Sequence, residues 1–253
     1  MSQTQSRYQT PLATNGPPTK TPQLMSLTSA DSGETGSRLV LEHLKMLCSG
    51  DPVKYNFILD TVAQAIQSPH LRPGTVLFLV GQGCGKGLVW ELIERLVGTK
   101  ACFTTAKPEK DVWGKNNAKM NGAIFVRITE VDAKKLAGYV GEIRTLITDS
   151  MIRVRSCHSH ELVQNNARFI IDARHLDILD FDRLYRRCFI INCNDEKVGD
   201  AAYFAALYKA IADENVIKTL FEFMNKRDIT MCDWTGRSPA RGAGACGGGW
   251  GVL

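Results

Sequence analysis

The chain has 253 residues, 44% of them hydrophobic and 23% charged, the balance of a globular protein with enough apolar material for a packed core. A formal charge of +5 and an isoelectric point near 8.8 permit contact with nucleic acid without demanding it. No apolar run reaches the ~18 to 20 residues of a membrane helix, and the eight cysteines include no Cys-x-x-Cys pair. Those two features argue against a membrane span and a zinc ribbon, and for a reduced, intracellular protein.

Residues 1–37 are dominated by Ser, Thr, Gln, Pro and Gly, a composition expected of a disordered tail. They lack the apolar block of a secretory signal. Residues 38–73 form a helical segment: RLVLEHLKML and the stretch from Val53 to Gln67 carry apolar residues at helical spacing, until Pro69 and Pro73 stop the pattern. Thr75 to Val80 (TVLFLV) is a continuous apolar run, as expected of a buried parallel strand. A glycine loop and a helix with Leu88, Leu92, Ile93 and Leu96 on one side follow. Ala123 to Ile128 (AIFVRI) is a second core strand, interrupted by Arg127.

Val140 to Ile147 has helical spacing, and Met151 to Arg155 (MIRVR) alternates like an exposed hairpin strand. Arg168 to Ile171 and Cys188 to Ile191 are two further core strands, and helices are expected over 200–212 and 216–226. Strands alternating with helices imply an α/β fold, a parallel sheet with helices on its faces. The main folded unit is therefore set at residues 74–230. Residues 231–253, rich in Gly and Ala, read as a flexible tail in which Arg237 and Arg241 are the available cations.

The loop between the first strand and its helix reads GQGCGKG. Strand, glycine loop and helix in that order make the context of a phosphate cradle. Amides of Gly83, Cys84, Gly85 and Lys86 can converge there, and the helix N-terminus adds positive potential. Gly81, Gly83, Cys84, Gly85, Lys86 and Gly87 are the candidate nucleotide-binding residues, with Lys86 as the charge for the terminal phosphates. The usual pattern G-x-x-x-x-G-K-[ST] is met in its middle only. Val80 stands at the first glycine position, and Gly87 stands where a hydroxyl would ligate magnesium.

The strand AIFVRI runs into Thr129, Glu130, Val131 and Asp132, which places carboxylates at the edge of a parallel sheet where ligands sit. Glu130 could polarise an attacking water, and Glu130 or Asp132 could hold a hydrated metal. A polar strand end capping the next helix through Asp132 explains the same residues. Arg186 and Arg187 precede the last strand, either as a solvated pair or as a finger reaching a phosphate bound by a neighbouring subunit.

In order, VLFLVGQGCGKG, DVWGKNNAKMNGAIFVRITEVD, IRTLITDSMIRVRS, NNARFIIDARH and DRLYRRCFII resemble the superfamily 3 helicase domain of viral and phage primase-helicases, an AAA+-like P-loop NTPase. The resemblance covers about Leu77 to Ile191. It implies an ATP-dependent helicase or translocase of DNA replication that uses ATP and Mg2+, works as a hexameric homo-oligomeric ring and takes single-stranded DNA. Lys86 is then the phosphate lysine, Glu130 the Walker B acid, Arg186 or Arg187 the trans finger, and Asp172 with Arg174 the sensor segment. Arg153, Arg155 and His158 would lie on or near the hairpin that grips the strand. Arg174 near the expected sensor asparagine, and Asn116-Asn117 where an apolar pair is typical, depart from the pattern. The alternatives are a catalytically inactive relative that binds nucleic acid or serves as a structural module, and a small-molecule kinase using the same loop.

Overall fold

The computed structural model describes residues 29–114, 116–130, 138–155, 160–174, 187–230 and 232. Five strands form one parallel sheet: β1 (Val76–Val80), β2 (Cys102–Thr105), β3 (Phe125–Ile128), β6 (Arg168–Ala173) and β7 (Cys188–Asn192). Their spatial order is β2-β3-β6-β1-β7. Between β3 and β6 the chain makes an antiparallel hairpin of β4 (Met151–Arg155) and β5 (His160–Gln164). The sheet strands are almost wholly apolar because both faces of the sheet are covered. Burial of β1 and β6 is complete or nearly so along their lengths.

One face carries α1 (Ser29–Leu47), α2 (Pro52–Gln67), α3 (Lys86–Val97), α6 (Ala201–Ala212) and α7 (Glu214–Lys226). Leu77, Leu79, Phe125, Ile170, Phe189 and Ile191 point into this core. Phe57 of α2 stacks on Phe189 of β7 at 3.7 Å, so α2 is bound into the same core as the sheet. The other face holds Val76, Phe78, Val126, Ile128, Phe169 and Ile171 under α5 (Val140–Thr148) and the hairpin. A short helix, α4 (Pro108–Asp111), lies between β2 and β3. Among the described residues no helix is long and apolar enough to cross a membrane.

Two expectations are corrected. The first concerns the boundary at residue 37: α1 begins at Ser29, so its first nine residues belong to a helix rather than a tail. Their polarity conceals the reason. Gly33 and Gly36 allow α1 to lie close against α7: a Cβ at Gly36 would collide with Val216, and one at Gly33 would sit 3.0 Å from the Thr219 hydroxyl. Tertiary contact supplies the stability that propensity does not. The second concerns β2, which the sequence reading omits. Its four residues CFTT are half polar, and Thr104 is exposed, since an edge strand shows the apolar pattern weakly. Residues 1–28 and 233–253, on which the remainder of both expected tails falls, lie outside the described residues.

The hairpin strand β4 alternates as its sequence does, with Met151 and Arg153 exposed and Ile152 and Val154 buried. Two buried asparagines anchor its root. Asn117 donates to Val112 O and to Arg153 O, each at 3.1 Å, and accepts from Arg155 N at 2.8 Å. Asn165 donates to Leu146 O and Asp149 O at 2.7 and 3.0 Å. Asn117, a departure from the family pattern in the sequence, thus pins β4 to the body of the protein.

Candidate functional site

The connection leaving β1 runs to β2 at one edge of the sheet, whereas the connection leaving its neighbour β6 runs the other way, to β7, so the C-terminal ends of β1 and β6 form the switch point at which an open parallel sheet leaves a crevice. The glycine loop occupies that crevice. Gly81, Gly83 and Gly85 have φ of +147°, +69° and +93°, the region that residues with a Cβ rarely adopt. Gly85 is also tightly enclosed: a Cβ there would stand 2.7 Å from His43 Nε2 and 2.9 Å from Phe204 Cε1. Gly87 differs, with nothing within 4 Å of a Cβ.

Asp51, Asp200 and Asp213 each accept a first-turn amide of α2, α6 and α7. The first turn of α3 has no such side-chain cap, because its N-cap is Gly85. Among the described residues no carbonyl accepts from the amides of Gly83, Cys84, Gly85, Lys86 or Gly87. First-turn amides without a carbonyl partner at a helix N-terminus form a site for an anion.

Lys86 is the first residue of α3, and its ammonium turns back over the loop. It donates to Gly81 O and, at 3.0 Å, to Ala173 O at the end of β6. These neutral acceptors hold the cation beside the cradle without cancelling its charge. Below the loop, Cys84 is buried against Cys193. The Cys193 thiol and then the Lys86 charge favour the Cys84 thiolate over the ordinary thiol balance, while Cys193 is pushed up, first by Cys84 and then by burial.

Glu130 follows β3 and is exposed at φ +58°, one of two non-glycine residues at positive φ among those described. Left-handed backbone at a strand end is costly for a glutamate and clusters at functional sites. The β3–β6 register pairs Ile128 with Ile171. Glu130, two residues beyond the end of β3, lies at the same C-terminal edge of the sheet as Ala173, whose carbonyl holds Lys86. The structure therefore gathers Gly81, Gly83, Cys84, Gly85, Lys86, Gly87 and Glu130 on one edge. Arg174, exposed just past β6, lies on that edge too.

Asp172, expected in the sensor segment, is paired within the protein. It points into the helix-covered face, where its Oδ2 accepts from Arg127 Nε at 2.8 Å and from Arg127 Nη2. Arg127 also lies 5.8 Å from the Trp90 ring centroid of α3. Its interruption of an apolar strand is thus a buried ion pair bracing β3, β6 and α3. Arg187 opens β7 at the opposite edge, with Nη1 3.4 Å from Gly74 O. A five-residue strand separates it from the chain's own loop by roughly 16 Å. Arg153 is exposed and Arg155 half-buried on β4. Asp132, His158 and Arg186 fall outside the described residues.

His43 was not singled out by its sequence, where it occupies one turn of an amphipathic helix. It is fully buried beneath Gly85, with Nδ1 3.1 Å from the Tyr203 hydroxyl. Burial lowers its pKa from the ordinary 6.5, opposed by the Gly85 backbone. No group of three His, Cys, Asp or Glu residues among those described is placed to hold a metal alone. Gly87 offers no ligand side chain.

The profile of a family of unknown function, DUF5906, matches residues 79–187, from the loop through the hairpin to the start of β7. No curated protein matches the chain in sequence. Among solved structures, the fold resembles the C-terminal region of NrS-1 in its apo state, at TM-score 0.62 and 20% identity over 78% of this chain and 48% of that one. A second apo form gives TM-score 0.62 at 20% identity, covering 81% and 48%. A third gives 0.55 at 21%, covering 78% and 48%. The chain spans about half the length of the NrS-1 chains it matches, and at these identities what it shares with them is the fold: a parallel sheet flanked by helices.

Proposed function

We propose that this chain is a P-loop NTPase domain, an ATP-dependent helicase or translocase module acting on single-stranded DNA in the replication of a virus or mobile element. One observation carries the reading: a helix N-terminus without a side-chain cap at the sheet's switch point, preceded by positive-φ glycines and overhung by Lys86. NrS-1, whose C-terminal region shares the fold, is a phage primase-helicase. That likeness favours a replication role over a small-molecule kinase.

In this reading the loop amides and Lys86 receive the β- and γ-phosphates, and the ammonium exchanges its two carbonyl partners for phosphate oxygens. ATP with Mg2+ supplies the phosphoanhydride to be broken. Glu130, at the end of β3, orients water and accepts its proton. Arg187, remote from its own loop, is available to a neighbouring subunit's phosphates in a ring. Arg153 on the hairpin tracks a DNA backbone, by a contact that salt weakens.

Gly87 favours a second reading, an inactive relative, because the position of the magnesium-binding hydroxyl is bare. ATP hydrolysis by the purified chain, with and without single-stranded DNA, decides between them against Lys86→Ala. A DNA-stimulated rate that disappears in Lys86→Ala supports the motor. A folded protein with no rate above that variant leaves the inactive relative.

A further inference from the structure

At the N-terminal edge of the sheet, opposite the glycine loop, a cavity of about 350 Å³ opens between the chain preceding β1, the end of α5 and the root of the hairpin. Its size falls in the ~300–1,000 Å³ range of small-ligand sites. Two arginines, Arg72 and Arg187, and the imidazole of His70 line it. Thr148, Ser150 and Gln164 bring two hydroxyls and an amide, and Leu71 with Ile147 supplies apolar wall. No carboxylate side chain is among the described residues that line it.

The cationic side chains are held in place by neutral acceptors. Arg72 donates to Leu146 O and Ile147 O at 3.0 and 3.2 Å and to Asp149 O at 2.8 Å, closing the end of α5. Arg187 donates to Gly74 O. Behind the wall, Arg168 is 2% exposed. Its guanidinium reaches Leu71 O, Pro69 O, Asn166 O and Gln64 Oε1, and its Nε has no partner. None of the three arginines forms an ion pair with a carboxylate among the described residues. The carboxylate that acts on Arg72, Asp149, has its Oδ1 3.0 Å from the Thr148 hydroxyl. Burial, and then the like charge of Arg72, lowers the Arg168 pKa to about 9.

Buried charge without an opposite charge is costly, and an anion in the cavity would offset the charge of Arg168 behind the wall and of the half-buried Arg72 and Arg187 in it. Arginine and histidine donors with hydroxyls suit phosphate oxygens, and the apolar wall suits a base or sugar. We infer that this cavity binds the phosphate ester of a nucleotide, at a site separate from the glycine loop. The nucleotide belongs either to a strand running past the hairpin root or to a free mononucleotide.

The test is calorimetric titration of full-length Lys86→Ala, which disables the loop site, with thymidine 5′-monophosphate and with a twelve-residue oligothymidylate at low salt. Saturable binding of at least one probe is expected. It should weaken at least tenfold in Arg187→Gln on the same background and recover most of that loss in Arg187→Lys, which keeps the charge. Binding of the mononucleotide, and its displacement of the oligonucleotide, assigns a free ligand; binding of the oligonucleotide alone assigns the strand. Absence of saturable binding by both probes overturns the inference, as does an Arg187→Gln protein that binds within twofold of its parent. If Arg187→Gln loses its melting transition, His70→Gln makes the same comparison, with at least a threefold loss expected and an unchanged affinity overturning the site. ATP titration of the chain with Lys86 intact reports on the loop separately, so either site can fail alone.

Discussion

Substituting alanine at Gly85 and at Gly87 places the same methyl group two residues apart in one loop, with opposite consequences. At Gly85 the backbone stands at φ +93°, where an L-residue costs about 1–2 kcal/mol. The methyl would also meet His43 Nε2 at 2.7 Å and Phe204 at 2.9 Å. Both neighbours are fixed in helices packed on the core, so overpacking adds about 1–3 kcal/mol. The lower entropy of the unfolded chain returns about 0.4–1 kcal/mol, leaving a net loss of roughly 2–4 kcal/mol. At Gly87 nothing lies within 4 Å and the residue is helical, so alanine is neutral or stabilises by about 0.5–1 kcal/mol. Urea unfolding followed by tryptophan fluorescence, with Trp90 in the core, should separate the two midpoints by roughly 2–5 kcal/mol when converted through a common m-value. Coincident midpoints, or a Gly87→Ala protein as weak as Gly85→Ala, would refute the account of a loop closed from beneath by His43 and Phe204.

Gly87→Ser adds a hydroxyl in open space at the position from which a P-loop ligates magnesium. It should leave the melting temperature within a few degrees and, where the loop binds ATP, lower the magnesium concentration needed for half-maximal nucleotide binding or hydrolysis; an unchanged requirement refutes that use of the position. Asp172→Asn leaves Arg127 partly buried without its carboxylate, at a cost of about 3–5 kcal/mol. The double variant Arg127→Met/Asp172→Leu should recover much of that in the same urea assay, and additive losses would refute the pairing. His43 has its folded pKa below the unfolded 6.5. Stability is therefore fully present above pH 6.5 and falls as the pH drops through that value, because the unfolded chain takes up the proton first. His43→Gln should flatten this part of the stability–pH curve, and an identical slope would assign it to other groups. Asn117→Ala removes three contacts at the hairpin root, and unmet backbone partners there cost about 1–3 kcal/mol. Faster hydrogen exchange confined to β4 and β5 is the expected signature, and unchanged exchange would show that the hairpin is anchored elsewhere.

The sequence by itself determined the local elements whose cause is local. TVLFLV and RFII could be read as core strands because a strand buried on both faces must be apolar throughout. The helix after Gly85 was legible from its spacing, and GQGCGKG as a glycine-rich turn between a strand and a helix. What depends on a distant partner was hidden. Arg127 is an anomaly in its strand until Asp172 arrives beside it from β6, and α1 begins in polar residues because α7 lies against Gly33 and Gly36. His43 is an ordinary helical residue until folding brings it beneath a loop 42 positions away. The cationic cavity draws on the approach to β1, the end of α5 and the start of β7, segments scattered along the chain. Only the tertiary structure brings these together, because charge and volume are balanced across space while a sequence pattern records the neighbours along the chain.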